Sequence, residues 1–343
     1  MHDWKQWLKG DPIGWLLEEE NPSVRYFTLT DILGRPPDDP EVVKARCDLM
    51  SGGPVPLILS RQEAEGFWGI ARDFYIRSKY KGTVWNLILL AQLGADGNDA
   101  RIRRGGEFIL NNSQDRESGG FAYELAGDGA GGDHNRILPC LTGNMVYSLI
   151  KFGYLEDERL RRAINWIVTY QRFDDGIKEA PKGWPYAKFP KCYGTHTCHM
   201  GAVKALKALA EIPPANRSPD VKIAIARGAE YLLKHHIFRR SHDLTQIAMP
   251  EWREFGFPLM WNDDALEVLE ILLKLGYHDE RMQEAVDLVV SKQDDQGRWK
   301  LETTFNGRTL ARIEQLDKPS KWVTLKALKV MKKCCSLSNF RPV

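Results

Sequence analysis

Several features that would assign a protein at once are missing from this sequence. Its 48 basic residues nearly balance 46 acidic ones, leaving a net charge of +2, so no electrostatic excess points to nucleic acid or a charged membrane surface. The longest apolar runs, such as Val84 to Leu93, are too short for a membrane span. No signal-peptide pattern opens the chain, where Asp3, Asp11 and Glu18 to Glu20 stand instead. Six cysteines (Cys47, Cys140, Cys192, Cys198, Cys334 and Cys335) among 343 residues make no disulfide framework. A reduced, cytoplasmic protein without a disulfide-linked partner is expected, its thiols left for packing or ligation. The glycine-rich stretch Gly127 to Gly132 follows no strand, so phosphate-loop patterns do not apply.

What the sequence does have is 43% apolar and 27% charged residues, the balance of a chain that buries a large core. It also has a repeat. Gln62 to Trp68 and Gln293 to Trp299 both read Q-x3-G-x-W. Degenerate copies run from Gln114 to Phe121 and from Gln171 to Gly176, and a fifth has His236 in the glutamine position. Each copy closes a polar-faced helix, predicted over 100–112, 156–170, 220–236 and 280–292. A more apolar helix precedes each of these, predicted over 83–93, 141–152, 199–210 and 258–275. Two more apolar helices are predicted over 26–33 and 322–331. Gly94, Gly153 and Gly276 read as C-terminal helix stops.

Helices that are apolar all round belong inside and amphipathic ones outside. The pattern predicts an all-α fold, an α/α toroid of about six inner and six outer helices. It forms one domain over residues 1–343, with 1–20 as a sealing helix carrying Trp4, Trp7 and Trp15 and 336–343 as a short tail. The long loops after each repeat gather on one rim, the place for a functional site.

The Q-x3-G-x-W copies resemble the repeat of squalene and other terpenoid cyclases, and the helix pairing resembles the toroid these share with protein prenyltransferase β subunits. In that family the glutamine and the aromatic tie helix pairs together, and the active cavity lies where the inner helices start. The resemblance therefore implies a cavity for a small apolar, prenyl-like ligand, here lined at the helix starts by aromatics, acids, thiols and imidazoles in an otherwise apolar interior.

Two chemistries fit that rim. Prenyltransferases hold zinc through D-x-C at one inner-helix start and a Y-H-T histidine at the next. Leu138-Pro-Cys140 and Tyr193-Gly-Thr-His196-Thr-Cys198 occupy the matching places. With Leu138 replacing the aspartate, the resemblance implies Cys140 and His196 as ligands, and Cys192 could complete a catalytic site with one open position. His199 is a reserve ligand or proton carrier. Class II cyclases instead protonate their substrate with D-x-D-D. Trp261-Asn-Asp263-Asp264 resembles this, with Asp263 at the protonating position and Asp264 beside it. The zinc enzyme, activating a thiol or water, is the leading expectation. The proton-initiated cyclase or isomerase is the alternative, and a non-catalytic binding or scaffold module is a third.

Overall fold

The computed structural model describes residues 4–177 and 179–335. The 336–343 tail and the first three residues of the 1–20 segment lie outside the described residues. The chain is all-α. It runs α1 (Ile13–Leu16), α2 (Pro22–Phe27), α3 (Pro40–Ser51), α4 (Pro54–Leu59), α5 (Thr83–Gln92), α6 (Ala100–Asn112), α7 (Pro139–Lys151), α8 (Glu158–Tyr170), α9 (Pro190–Tyr193), α10 (His199–Glu211), α11 (Pro219–Lys234), α12 (Ala265–Lys274), α13 (Gln283–Ser291) and α14 (Lys321–Cys335). Strands among the described residues make only two small antiparallel ribbons, β1 (Arg239–Arg240) with β2 (Asp243–Ile247) and β3 (Trp299–Lys300) with β4 (Pro319–Ser320).

The apolar helices take interior positions because they have no polar face to give to water. Every residue of α5 is buried. In order, α5 packs on α7, α7 on α10, α10 on α12 and α12 on α14, while α6, α8, α11 and α13 cover them pairwise. The outer helices start alike: Asp99, Asp157 and Asp279 each accept the backbone N–H two residues on and pair with the side chain of that arginine, Arg101, Arg159 or Arg281. Such caps satisfy donors that the first turn leaves open.

The repeat residues act as ties. Gln62 Nε2 donates to the carbonyls of Gly66 (3.0 Å) and Arg101 (2.9 Å), and Gln114 Nε2 to those of Gly119 (2.9 Å) and Arg159 (2.7 Å), each time reaching the next outer helix. Trp68 Nε1 donates back to Ile58 O at 2.8 Å and Trp299 Nε1 to Val289 O at 2.7 Å. The backbone N–H of Trp68, Phe121 and Trp299 donates to a threonine hydroxyl, Thr83, Thr142 or Thr324, in the following inner helix. Gly66 has φ +95°, and a Cβ there would stand 2.5 Å from Arg104 O, so the loop could not close with a larger residue. The last copy ties to the other end of the chain: Gln293 Nε2 donates to Trp7 O at 2.9 Å, and Gln293 Oε1 accepts from Lys9 N at 2.8 Å. Lys321, at the start of α14, pairs with Glu18 and Glu20.

Three expectations change. Residues 4–20 form a 3-10 turn at Trp4–Trp7 and the short α1 instead of one helix. The predicted 258–275 helix begins only at Ala265, because Asp264 is an extended N-cap residue. Before it, the chain bends through Met260 at φ 55°. The interior is also not uniformly apolar, as the site shows.

Candidate active site

At the start of α12, Asp263 is buried, its side chain only 1% exposed. Neither carboxyl oxygen has a hydrogen-bond partner among the described residues. Burial pushes its pKa well above the usual carboxylate range. Lys204 opposes the rise, while Glu267 and Asp264 reinforce it. A lone carboxylate in such a place would forgo its hydration without compensation, so the neutral acid is the stable form.

His199, the first residue of α10, presents Nε2 to Asp263 Oδ1 at 3.7 Å, beyond a hydrogen bond. Burial depresses its pKa to about 3, with His235 and Lys204 adding to the effect. Its ring stacks on Trp252 at 3.9 Å and lies 6.0 Å from Tyr231. A neutral acid thus faces a neutral imidazole, because separating charge between them would place two ions in a dry site.

Asp264 has another task. Its oxygens accept from Glu267 N at 2.7 Å and Gly256 N at 3.0 Å, capping α12 and holding the preceding loop. Burial raises its pKa to about 6, against the pull of Lys326 and these hydrogen bonds. Asn144 Nδ2 donates to Met260 O at 3.3 Å, binding α7 to the same loop. Aromatic rings collect nearby: Trp261 Nε1 donates to the Tyr80 hydroxyl at 3.1 Å, and Tyr80 packs on Phe305 (4.4 Å) and Trp85 (5.1 Å). Tyr75 stacks on Trp85 at 4.7 Å. On the outside, a hollow of about 430 Å³ between the 173–175 loop and α11 is lined in part by Tyr231, whose ring lies against His199.

The thiols and His196 separate. Cys192 donates toward Cys198, holding the Cys198 thiol down at about 7 and its own well above the normal value. Burial pushes the Cys140 thiol up to about 12. His196 is 66% exposed, with Nδ1 3.3 Å from Asp175 Oδ1. Arg172 donates to the Tyr193 and Gly194 carbonyls at the end of α9, just ahead of His196. Among the described residues, no group of three or more His, Cys, Asp or Glu side chains is arranged to hold a metal ion. Cys140, Cys192 and His196 are thus not gathered into such a group among the described residues.

No family model matches the chain, and no curated protein matches it. Solved structures do. The chain is similar to a type II terpene cyclase. That enzyme, MstE from Scytonema, is 15% identical in its apo form, with a TM-score of 0.43 over 93% of this chain and 88% of that one. A variant of MstE in complex with geranylgeranyl dihydroxybenzoate gives 16% identity and a TM-score of 0.44 over the same shares. A protein from Actinoplanes gives 15% and 0.43 over 92% of this chain and 90% of that one.

Sequence reasoning missed the charges below Asp263. Glu267 accepts from Lys204 and, at 2.7 Å, from Lys207, and all three groups are buried. Lys207 also lies 4.4 Å from the Tyr147 ring. Lys329 of α14 pairs with Glu270 and with Asp31, and Glu211 pairs with Lys274 and Lys151 near the helix ends. The signal was present as charges spaced three or four apart on helices otherwise read as apolar: Lys204, Lys207 and Glu211, then Asp263, Glu267, Glu270 and Lys274.

Proposed function

We propose that the protein is a proton-initiated cyclase or isomerase in which Asp263 is the acid. The observation that carries this reading is a buried carboxyl with both oxygens unpartnered among the described residues, at an inner-helix start. A carboxylic acid that makes no internal hydrogen bond keeps its proton available for a substrate. His199, neutral and out of hydrogen-bonding reach, does not compete for that proton.

The substrate class follows from the surroundings. An alkene in an apolar chain, such as a prenyl group, accepts the Asp263 proton at one carbon. Its π electrons form the new C–H bond and a cation develops at the neighbouring carbon. A second alkene of the chain closes on that cation, and loss of a proton ends the sequence. Aromatic faces such as those of Tyr80, Trp85 and Trp261 stabilise cations by about 0.5–2 kcal/mol each. The helix pairs close into a ring in this reading. Support comes from the ties of Gln293 to Trp7 and of Lys321 to Glu18 and Glu20, which join the two ends of the chain.

The test is turnover of polyprenyl substrates by Asp263→Asn. A general acid contributes on the order of 10²–10⁴-fold, so the variant loses at least that factor while its circular dichroism is unchanged. Wild-type turnover holds through neutral pH and falls only as the pH rises past the elevated pKa of Asp263. Full activity in Asp263→Asn ends the proposal.

A further inference from the structure

Asp263 shares its surroundings with a surplus of positive charge. Lys204 and Lys207, one turn apart on α10, both turn into the core, where Glu267 takes one ammonium on each carboxylate oxygen. Glu267 follows Asp263 by four residues, and the Lys204 charge is the strongest electrostatic influence on Asp263. Two acids therefore stand within the influence of one buried lysine, yet only Glu267 is bonded to it. Asp263 is left without a partner.

We propose that Glu267 is a positioning residue for Asp263: by binding Lys204 and Lys207 together, it keeps the Lys204 ammonium from forming an ion pair with the Asp263 carboxyl. The inference rests on the acid role proposed for Asp263. An Asp263 paired with Lys204 would be a carboxylate held by a cation, unable to protonate an alkene. The other groups that face Asp263 do not supply this control. Asp264 on its own element is committed to two backbone N–H groups. His199 and Cys198 at the start of α10 carry no buried cation, His199 being neutral. Burial holds the Tyr231 hydroxyl of α11 well above the usual phenol range, so it stays neutral. His235 of α11 turns Nδ1 to Arg239 O and is held neutral by burial. Lys326 of α14, which bears on Asp264 and Glu267, lies 5.8 Å from the Phe257 ring.

The experiment reads Asp263 directly. Infrared difference spectra of the full chain across a pH series follow the carbonyl stretch of a protonated carboxyl, assigned as the band missing from Asp263→Asn. In Glu267→Gln, Lys204 is released to Asp263, and the midpoint of that band moves down by about 1–3 pH units. In Lys204→Met the Lys207–Glu267 pair remains and the midpoint moves up. Should Glu267→Gln fail to fold, Lys204→Met decides alone. A midpoint that stays in place in the folded variants overturns the role of Glu267 and leaves the acid role of Asp263 standing. A wild-type protein without the band at pH 7 overturns the acid role itself.

Discussion

Two buried carboxyl groups four residues apart, Asp263 and Glu267, are pushed in opposite directions. Burial raises the pKa of both. For Asp263 the Lys204 charge opposes it only in part, and among the described residues no hydrogen bond reaches either oxygen. For Glu267 the charges of Lys204, Lys207 and Lys326 and the Lys204 hydrogen bond outweigh burial and hold the carboxyl well below its usual range. Burial alone therefore does not decide whether an acid keeps its proton in this core. The partner does. The lower turns of the inner helices are held by paired charges, while the turn where they start carries an acid left unpaired.

The largest effect comes from breaking the paired side. Glu267→Ala leaves Lys204 and Lys207 facing each other in a dry interior. Removing one member of a buried charge group costs about 3–5 kcal/mol, so the urea midpoint falls sharply. A loss under about 1 kcal/mol would mean that water reaches these lysines and that the comparison with Asp263 does not hold.

An effect of similar size when taken over about three pH units, with a sign fixed by linkage, comes from Asp263→Asn. The folded pKa of Asp263 is raised, so between roughly pH 4, where the unfolded chain loses this proton, and the folded pKa, the native state binds more protons. Wild-type stability then falls with rising pH relative to the Asn variant, by about 1.4 kcal/mol per pH unit across that window. Paired denaturation curves at pH 4 and pH 7 read this. The variant is relatively more stable at pH 7, and the gap narrows toward pH 4. Parallel behaviour at both pH values would mean that Asp263 is ionised in the native state.

Much of the fold was legible because it is local. The predicted 100–112 helix coincides with α6, and Gly94, Gly153 and Gly276 stop their helices at φ of 80–88°. Asp263 was legible as well, through its place at an inner-helix start. The α3 and α4 helices were not read, since Gly52, Gly53, Pro54 and Pro56 look like chain breakers, although proline suits a first helical turn. The Lys204–Glu267 pair escaped for a different reason. It joins residues 63 apart, and an apolar period counts a lysine as a surface residue until its partner is known. The zinc reading finds no support for a related reason: of residues close in sequence, Cys192 and Cys198 meet while His196 stands on the surface.

That separation leads to the smallest effect. His196 stands on the surface, where Nδ1 meets Asp175 and the Gly176 N–H. His196→Ala removes an exposed contact and changes stability by about 0.5 kcal/mol or less. Turnover is unchanged, because nothing in the Asp263 and His199 geometry depends on it. The same substitution tests the metal reading from the other side. Zinc measured in chelator-free wild type and in His196→Ala should agree, since His196 does not reach Cys140 or Cys192. A stoichiometric zinc content that disappears with His196 would require the 194–197 loop to fold inward over the thiols, and would return the Cys140, Cys192 and His196 set to the centre of the chemistry in place of Asp263.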